Sequence, residues 1–130
     1  MKTDFSVVDA ARVVGIDPGR LRGWLQHAHI DFGRRTPTGR IRFSLRDVRA
    51  IALMAAAVDH GVPPALAGPQ AARLIDRIGT WTDRPLIAVW TRNPEVAPYV
   101  APEGVAGRFQ GAAIVVPLKP LFAELDRRAA

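Results

Sequence analysis

Apolar positions along the first sixty residues recur at the spacing of helices, and they are interrupted by recognisable start and stop signals. Val7, Ala10, Ala11 and Val14 lie on one helical stripe. Ser6 with Asp9 three residues later forms a capping box in front of it, and Phe5 can act as a hydrophobic staple. Gly15 ends this short helix. Asp17-Pro18 then opens a second one, with the N-cap followed by proline at the first helical position. Leu21, Trp24 and Leu25 make its apolar stripe, and it runs to between Gln26 and His29. Gly19, Arg20, Gly23 and Gln26 lie on the opposite face, with Arg22 at the flank. Two short helices joined by a glycine turn predict a helix-turn-helix, the second helix (18–26) being the one shaped to enter a major groove.

Beyond it the period changes from helical to alternating. Thr36-Pro37-Thr38-Gly39 marks a turn, and on its far side Ile41 and Phe43 alternate with Arg40 and Arg42. The stretch 34–43 therefore predicts a β-hairpin wing with one apolar and one arginine face. Ser44-Leu45-Arg46-Asp47 is a second capping box, and its helix carries Val48, Ile51, Ala52, Met54, Ala55 and Val58. Gly61 is placed to cap its end. A further helix is expected over Pro64 to Ile78, bent near Gly68-Pro69, with Ala71, Leu74, Ile75 and Ile78 turned inward.

After Gly79 the pattern becomes strand-like. Pro85 to Trp90 reads as one continuous apolar strand, Thr91 to Gln110 as a loop, and Ala112 to Val116 as a second apolar strand. Pro120 opens a last short helix with Leu121, Phe122 and Leu125 on one side. The expected class is α+β: a winged helix-turn-helix over 1–78 and a small β-β-α segment over 79–130. A two-stranded element is marginal alone in water. Strands apolar on both faces need cover, so this segment is expected to dimerise, with docking on the chain's own helices as the alternative.

Charge sharpens the picture. Nine arginines and three acids lie between Arg12 and Arg49, a surplus of six that equals the formal net charge of the whole chain, +6. The remainder is balanced, nine against nine. Sixteen of the eighteen cations are arginine, whose planar fork suits phosphate and guanine edges. Double-stranded DNA is the expected partner. Contacts are expected from Gly19, Arg20, Arg22, Trp24, Arg34, Arg35, Arg40 and Arg42, with Trp24 also serving the core. Arg12, Arg46 and Arg49 read instead as structural or solvating.

Other chemistry is thin. Cysteine is absent, which excludes disulfides and thiolate metal sites. His27 and His29 stand two apart, a spacing that suits neither one helix face nor zinc, so no metal or other cofactor is expected. Asp59-His60 has no recognisable nucleophile beside it, and no phosphate-cradling or dinucleotide motif occurs. The chain is not expected to be an enzyme. With no membrane span and no secretion signal at the start, cytoplasm is the expected compartment. The stretch from Thr91 to Gln110 offers no convergent polar set that would identify a small-molecule effector.

Several of these pieces resemble the MerR-type winged-helix family. Phe5-Ser6-Val7-Val8-Asp9-Ala10-Ala11 is similar to its first helix and Gly15-Ile16-Asp17-Pro18 to its turn. Leu21-Arg22-Gly23-Trp24 resembles its recognition helix, and Arg34 with Gly39-Arg40-Ile41-Arg42-Phe43 its wing. Ser44 to Val48 and Gly61-Val62 resemble its next helix start and the pair after it. The resemblance covers about residues 5 to 75. It implies base-edge or nearby contacts from Gly19 and Arg20, and phosphate contacts from Arg22, Trp24, Arg40 and Arg42. Two departures stand out: Gly23 replaces an aromatic phosphate contact, and Gly61, Pro63, Pro64, Gly68 and Pro69 interrupt any long dimerisation coil. The implied function is regulation of transcription by DNA binding. The alternatives are an excisionase-like or architectural factor of a mobile element, and a protein-interaction module whose basic face meets an acidic partner.

Overall fold

The computed structural model describes residues 3–79, 84–93, 95–104 and 113–130. The first helix, α1 (Val7–Val14), begins where Ser6 accepts a hydrogen bond from the Asp9 amide at 3.1 Å. It ends at Gly15, whose φ of 87° closes the turn in the left-handed region. The same glycine lets the Arg128 guanidinium lie against the backbone, since a Cβ there would meet Nη1 at 2.6 Å. The second helix, α2 (Pro18–Gln26), has Asp17 as N-cap, accepting from the Gly19 amide.

Phe5 does more than staple the first helix. With Asp4 it forms a short strand, β1 (Asp4–Phe5), paired antiparallel to β3 (Ile41–Ser44). The wing itself is β2 (Arg34–Arg35) against β3, so the small sheet runs β1-β3-β2. Phe5 and Phe43 are register partners, both fully buried, and they anchor the wing to the helices.

The helix α3 (Leu45–Asp59) opens on the expected capping box, with Ser44 and Asp47 bonded in both directions. Eight of its residues, from Val48 to Ala57, are buried. A helix apolar nearly all round must lie at the centre of a packing arrangement. It does: α1, β3, α5 and above all α4 (Pro64–Ile78) pack around it. The chain leaves α3 through His60, which takes the capping position, with Gly61 one residue beyond. The α4 helix has the expected limits, with Ala71, Leu74, Ile75 and Ile78 all buried. Its close approach to the turn after α2 depends on Gly68, where a Cβ would overlap the His29 carbonyl oxygen.

The C-terminal segment departs from expectation in three ways. The stretch expected as a loop from Thr91 to Gln110 contains a strand, β5 (Tyr99–Pro102), paired antiparallel to β4 (Leu86–Thr91). The other neighbour of β4 is β6 (Ala113–Pro117), so the sheet runs β5-β4-β6 and has three strands. Ala112, expected to start the last strand, lies outside the described residues. The last helix, α5 (Leu118–Ala129), starts two residues before Pro120, because proline is tolerated in a first turn where its missing N–H has no partner to lose.

Strand register sorts the side chains of this sheet. Ala88, Trp90 and Val116 join the main core, with Leu86, Val100 and Ile114 packed against it. Ile87 and Val89 point to the opposite face, yet they are only 1% and 0% exposed. Both faces of the central strand are therefore covered within a single chain. The α5 helix packs on α3, α1 and β4. Phe122 and Leu125 are buried there, Arg49 pairs with Asp126 at 3.2 Å, and Arg128 donates to the Val13 carbonyl at 3.4 Å. Core residues run continuously from Phe5 to Ala129.

Candidate nucleic-acid interface

Local signals bring three basic side chains together. Arg22 leaves the exposed side of α2, while Arg40 and Arg42 come from the wing. All three line a groove of about 280 Å³, whose remaining wall is Ser6, Val7 and Val8 at the start of α1 together with Ile41. The first amides of a helix carry partial positive charge, which adds to the arginines, while the Asp9 carboxylate of the same turn is near enough to act on Arg42. Val8 is half exposed at the rim.

The arginines differ in what already holds them. Among the described residues, Arg22 and Arg40 have no carboxylate partner. Arg42 donates to Asp4 through both Nε and Nη2, at 3.2 and 2.9 Å. That bonding to Asp4 raises its pKa further above an already high ordinary value, so it is a permanent cation. Arg34 stands 3.7 Å from the same Asp4 carboxylate and lines a second groove with Gly33, Arg42 and Asp47. Arg35 donates to the Gly39 carbonyl at 3.2 Å and stiffens the wing turn.

The remaining expected contacts lie elsewhere on α2. Arg20 pairs with Asp59 at the end of α3, at 3.1 Å, and its guanidinium sits 4.9 Å from the centroid of the Trp24 ring. Trp24 is buried, only 5% exposed, which places its ring in the core. Gly19 is exposed at the first turn, its amide taken by Asp17. The structure thus gathers Arg22, Arg40 and Arg42 into one groove, with Arg34 and Arg35 along the wing. It places Arg20 on the side of α2 that faces α3. Of the arginines read as structural, Arg46 pairs with Asp76 and Arg49 with Asp126.

Sequence reasoning did not find Asp4 and Asp59 as partners of the candidate arginines. Both lie far from them in the chain, 38 residues from Asp4 to Arg42 and 39 from Arg20 to Asp59. The start of α1 as a groove wall was half visible, because its Ser6 cap fixes where the free amides lie.

His27 and His29 stand with ring centroids 5.9 Å apart. No group of three or more metal-ligating side chains occurs among the described residues. No helix among them is long and apolar enough to cross a membrane. No curated protein matches the chain. Residues 5–67, from β1 through the first turn of α4, match the family model described as MerR HTH family regulatory protein. The N-terminal portion of this chain is therefore a helix-turn-helix of the MerR regulatory type.

Proposed function

We propose that the protein regulates transcription by laying α2 into the major groove of duplex DNA while the wing lies on the adjoining backbone, and that it is not an enzyme. The observation that carries this reading is the groove shared by Arg22, Arg40, Arg42 and the start of α1. The guanidinium groups of Arg22 and Arg40, without a carboxylate partner among the described residues, beside the first amides of α1 make a surface for phosphate oxygens. Phosphate contacts of this kind set affinity and register, whereas base edges set specificity. In this reading Gly19 allows the backbone of α2 to come close to the bases. Arg20 meets a base edge with the donors that Asp59 leaves free, pre-positioned by its stacking on Trp24. Arg34 and Arg35 follow the backbone along the wing.

The test is fluorescence anisotropy with a labelled random duplex across a salt series. Affinity should fall steeply as salt rises. Arg22→Gln together with Arg40→Gln should weaken binding by roughly 2–6 kcal/mol, on a scale of about 1–3 per contact, and should flatten the salt slope by about 2. Binding of duplex that is indifferent to both salt and the double substitution would remove α2 and the wing as the interface. Capture of an acidic protein in preference to DNA would favour the interaction-module reading.

Dimerisation through the C-terminal strands belongs to the same reading as a way to present two recognition helices to a pseudo-palindrome. The burial of Ile87 and Val89 within one chain weakens the argument for it, since those strands already have cover. Light scattering after size exclusion decides the matter: a monomer at tens of micromolar removes the dimer.

A further inference from the structure

A second cleft lies away from the basic groove. It opens between the α3–α4 corner and the end of β4 and holds about 820 Å³, within the range of roughly 300–1,000 Å³ usual for small-molecule sites. Its floor is the Trp90 ring, whose Nε1 donates to Gln70 Oε1 at 2.9 Å and is thereby fixed in orientation. Its walls carry an unusual share of exposed apolar surface. Three large hydrophobic side chains are exposed among the described residues, and two of them, Leu66 at 54% and Val96 at 41%, line this cleft. Single exposed apolar residues are ordinary on a surface, whereas two in the walls of one cavity above a buried indole mark an apolar slot.

The rim supplies the polar half. Arg73 from α4 and Arg92 from just beyond β4 both line the cleft, and neither has a carboxylate partner among the described residues. Glu95 is the acid on the rim, leaving two arginines against one carboxylate. His60 Nδ1 donates to the Ala56 carbonyl at 2.7 Å, which fixes its ring as part of the same wall. An apolar slot with a net positive rim selects a ligand that is flat and apolar at one end and anionic at the other. We infer that this cleft is a binding site for a small organic monoanion with an apolar body. The site is separate from the proposed DNA groove and shares no residue with it.

Anilinonaphthalene sulfonate has this chemistry and is the probe. Titrated against the full chain and followed by fluorescence, it should bind saturably at one molecule per chain. Arg73→Gln and Arg92→Gln should each weaken it about tenfold, the loss of roughly 1.4 kcal/mol that one charge-assisted contact represents. The uncharged analogue phenylnaphthylamine should bind far more weakly. Arg22→Gln with Arg40→Gln should leave dye binding unchanged, which keeps the outcome distinct from that of the DNA experiment. Near-ultraviolet circular dichroism unchanged in every variant excludes dye uptake by loosened protein. The inference is overturned by non-saturable binding, by equal affinity for the uncharged analogue, or by a loss that follows the Arg22 and Arg40 substitutions instead of Arg73 and Arg92.

Discussion

The arginine-rich stretch and the C-terminal segment are built on opposite principles, although they share one core. From Ser6 to Arg49, structure comes from local devices: caps at Ser6, Asp17 and Ser44, a glycine stop at Gly15, and a short hairpin. Each device involves residues a few places apart, and most of the side chains they display are polar and exposed. The segment after Leu86 has almost no such devices. Pro117 gives α5 no side-chain cap, and β4 is held by burial on both faces and by pairing on both edges. The first region can display charge because its shape is locally determined. The second gives up exposed surface to cover α3.

That contrast can be broken most severely at Phe122, which is fully buried where α5 meets α3 and β4. Phe122→Ala should cost about 3–5 kcal/mol, and urea denaturation should show the whole chain losing stability in one transition. If the helix-turn-helix were energetically independent of α5, two transitions would appear and the earlier elements would keep their midpoint.

A smaller effect is expected at the Arg49–Asp126 pair, which joins the two regions at side-chain exposures of 17% and 22%. Arg49→Ala should cost about 1–3 kcal/mol, the usual result of leaving one partner of a charged hydrogen bond unsatisfied. A double-mutant cycle with Asp126→Ala should return a favourable coupling, and zero coupling would mean that Arg49 acts only by stacking over Phe122, 5.8 Å away.

The least effect concerns Glu124 on the surface of α5. Hydrogen bonding from Arg127, reinforced by the charge and hydrogen bond of Arg128, lowers its pKa below the ordinary carboxylate value. A carboxyl depressed on folding stabilises the folded state above its unfolded pKa, and that contribution is lost as pH falls through the folded value. Acid unfolding followed by circular dichroism should show Glu124→Gln slightly less stable near neutrality and indistinguishable from the parent at the acid end. A constant difference at all pH values would show that the pairing is immaterial.

Legibility followed the range of the interactions. The limits of α4 were readable because Pro63-Pro64 and Gly79 bracket an apolar stripe of helical period. The strand β5 was not, since Tyr99-Val100-Ala101-Pro102 lies among prolines that signal a loop. Proline is admissible there only because β5 is an edge strand, and edge position is decided by which strands pair with β4. In the candidate interface, that α2 and the wing display arginines was readable, and which of them share one groove was not.

The sequence by itself determined that a surplus of arginine lies on short, capped helices and a hairpin, because caps, turns and periodicity act over a few residues. Only the tertiary structure decided which of those arginines remain free to act. Asp4, Asp59, Asp76 and Asp126 all lie outside the arginine-rich stretch, and folding brings them to Arg34 and Arg42, Arg20, Arg46 and Arg49 respectively. Arg12, Arg22, Arg35 and Arg40 are left without a carboxylate among the described residues, and of these Arg22 and Arg40 line one groove. Coulomb attraction depends on separation in space, and chain order does not encode that separation until the core has formed.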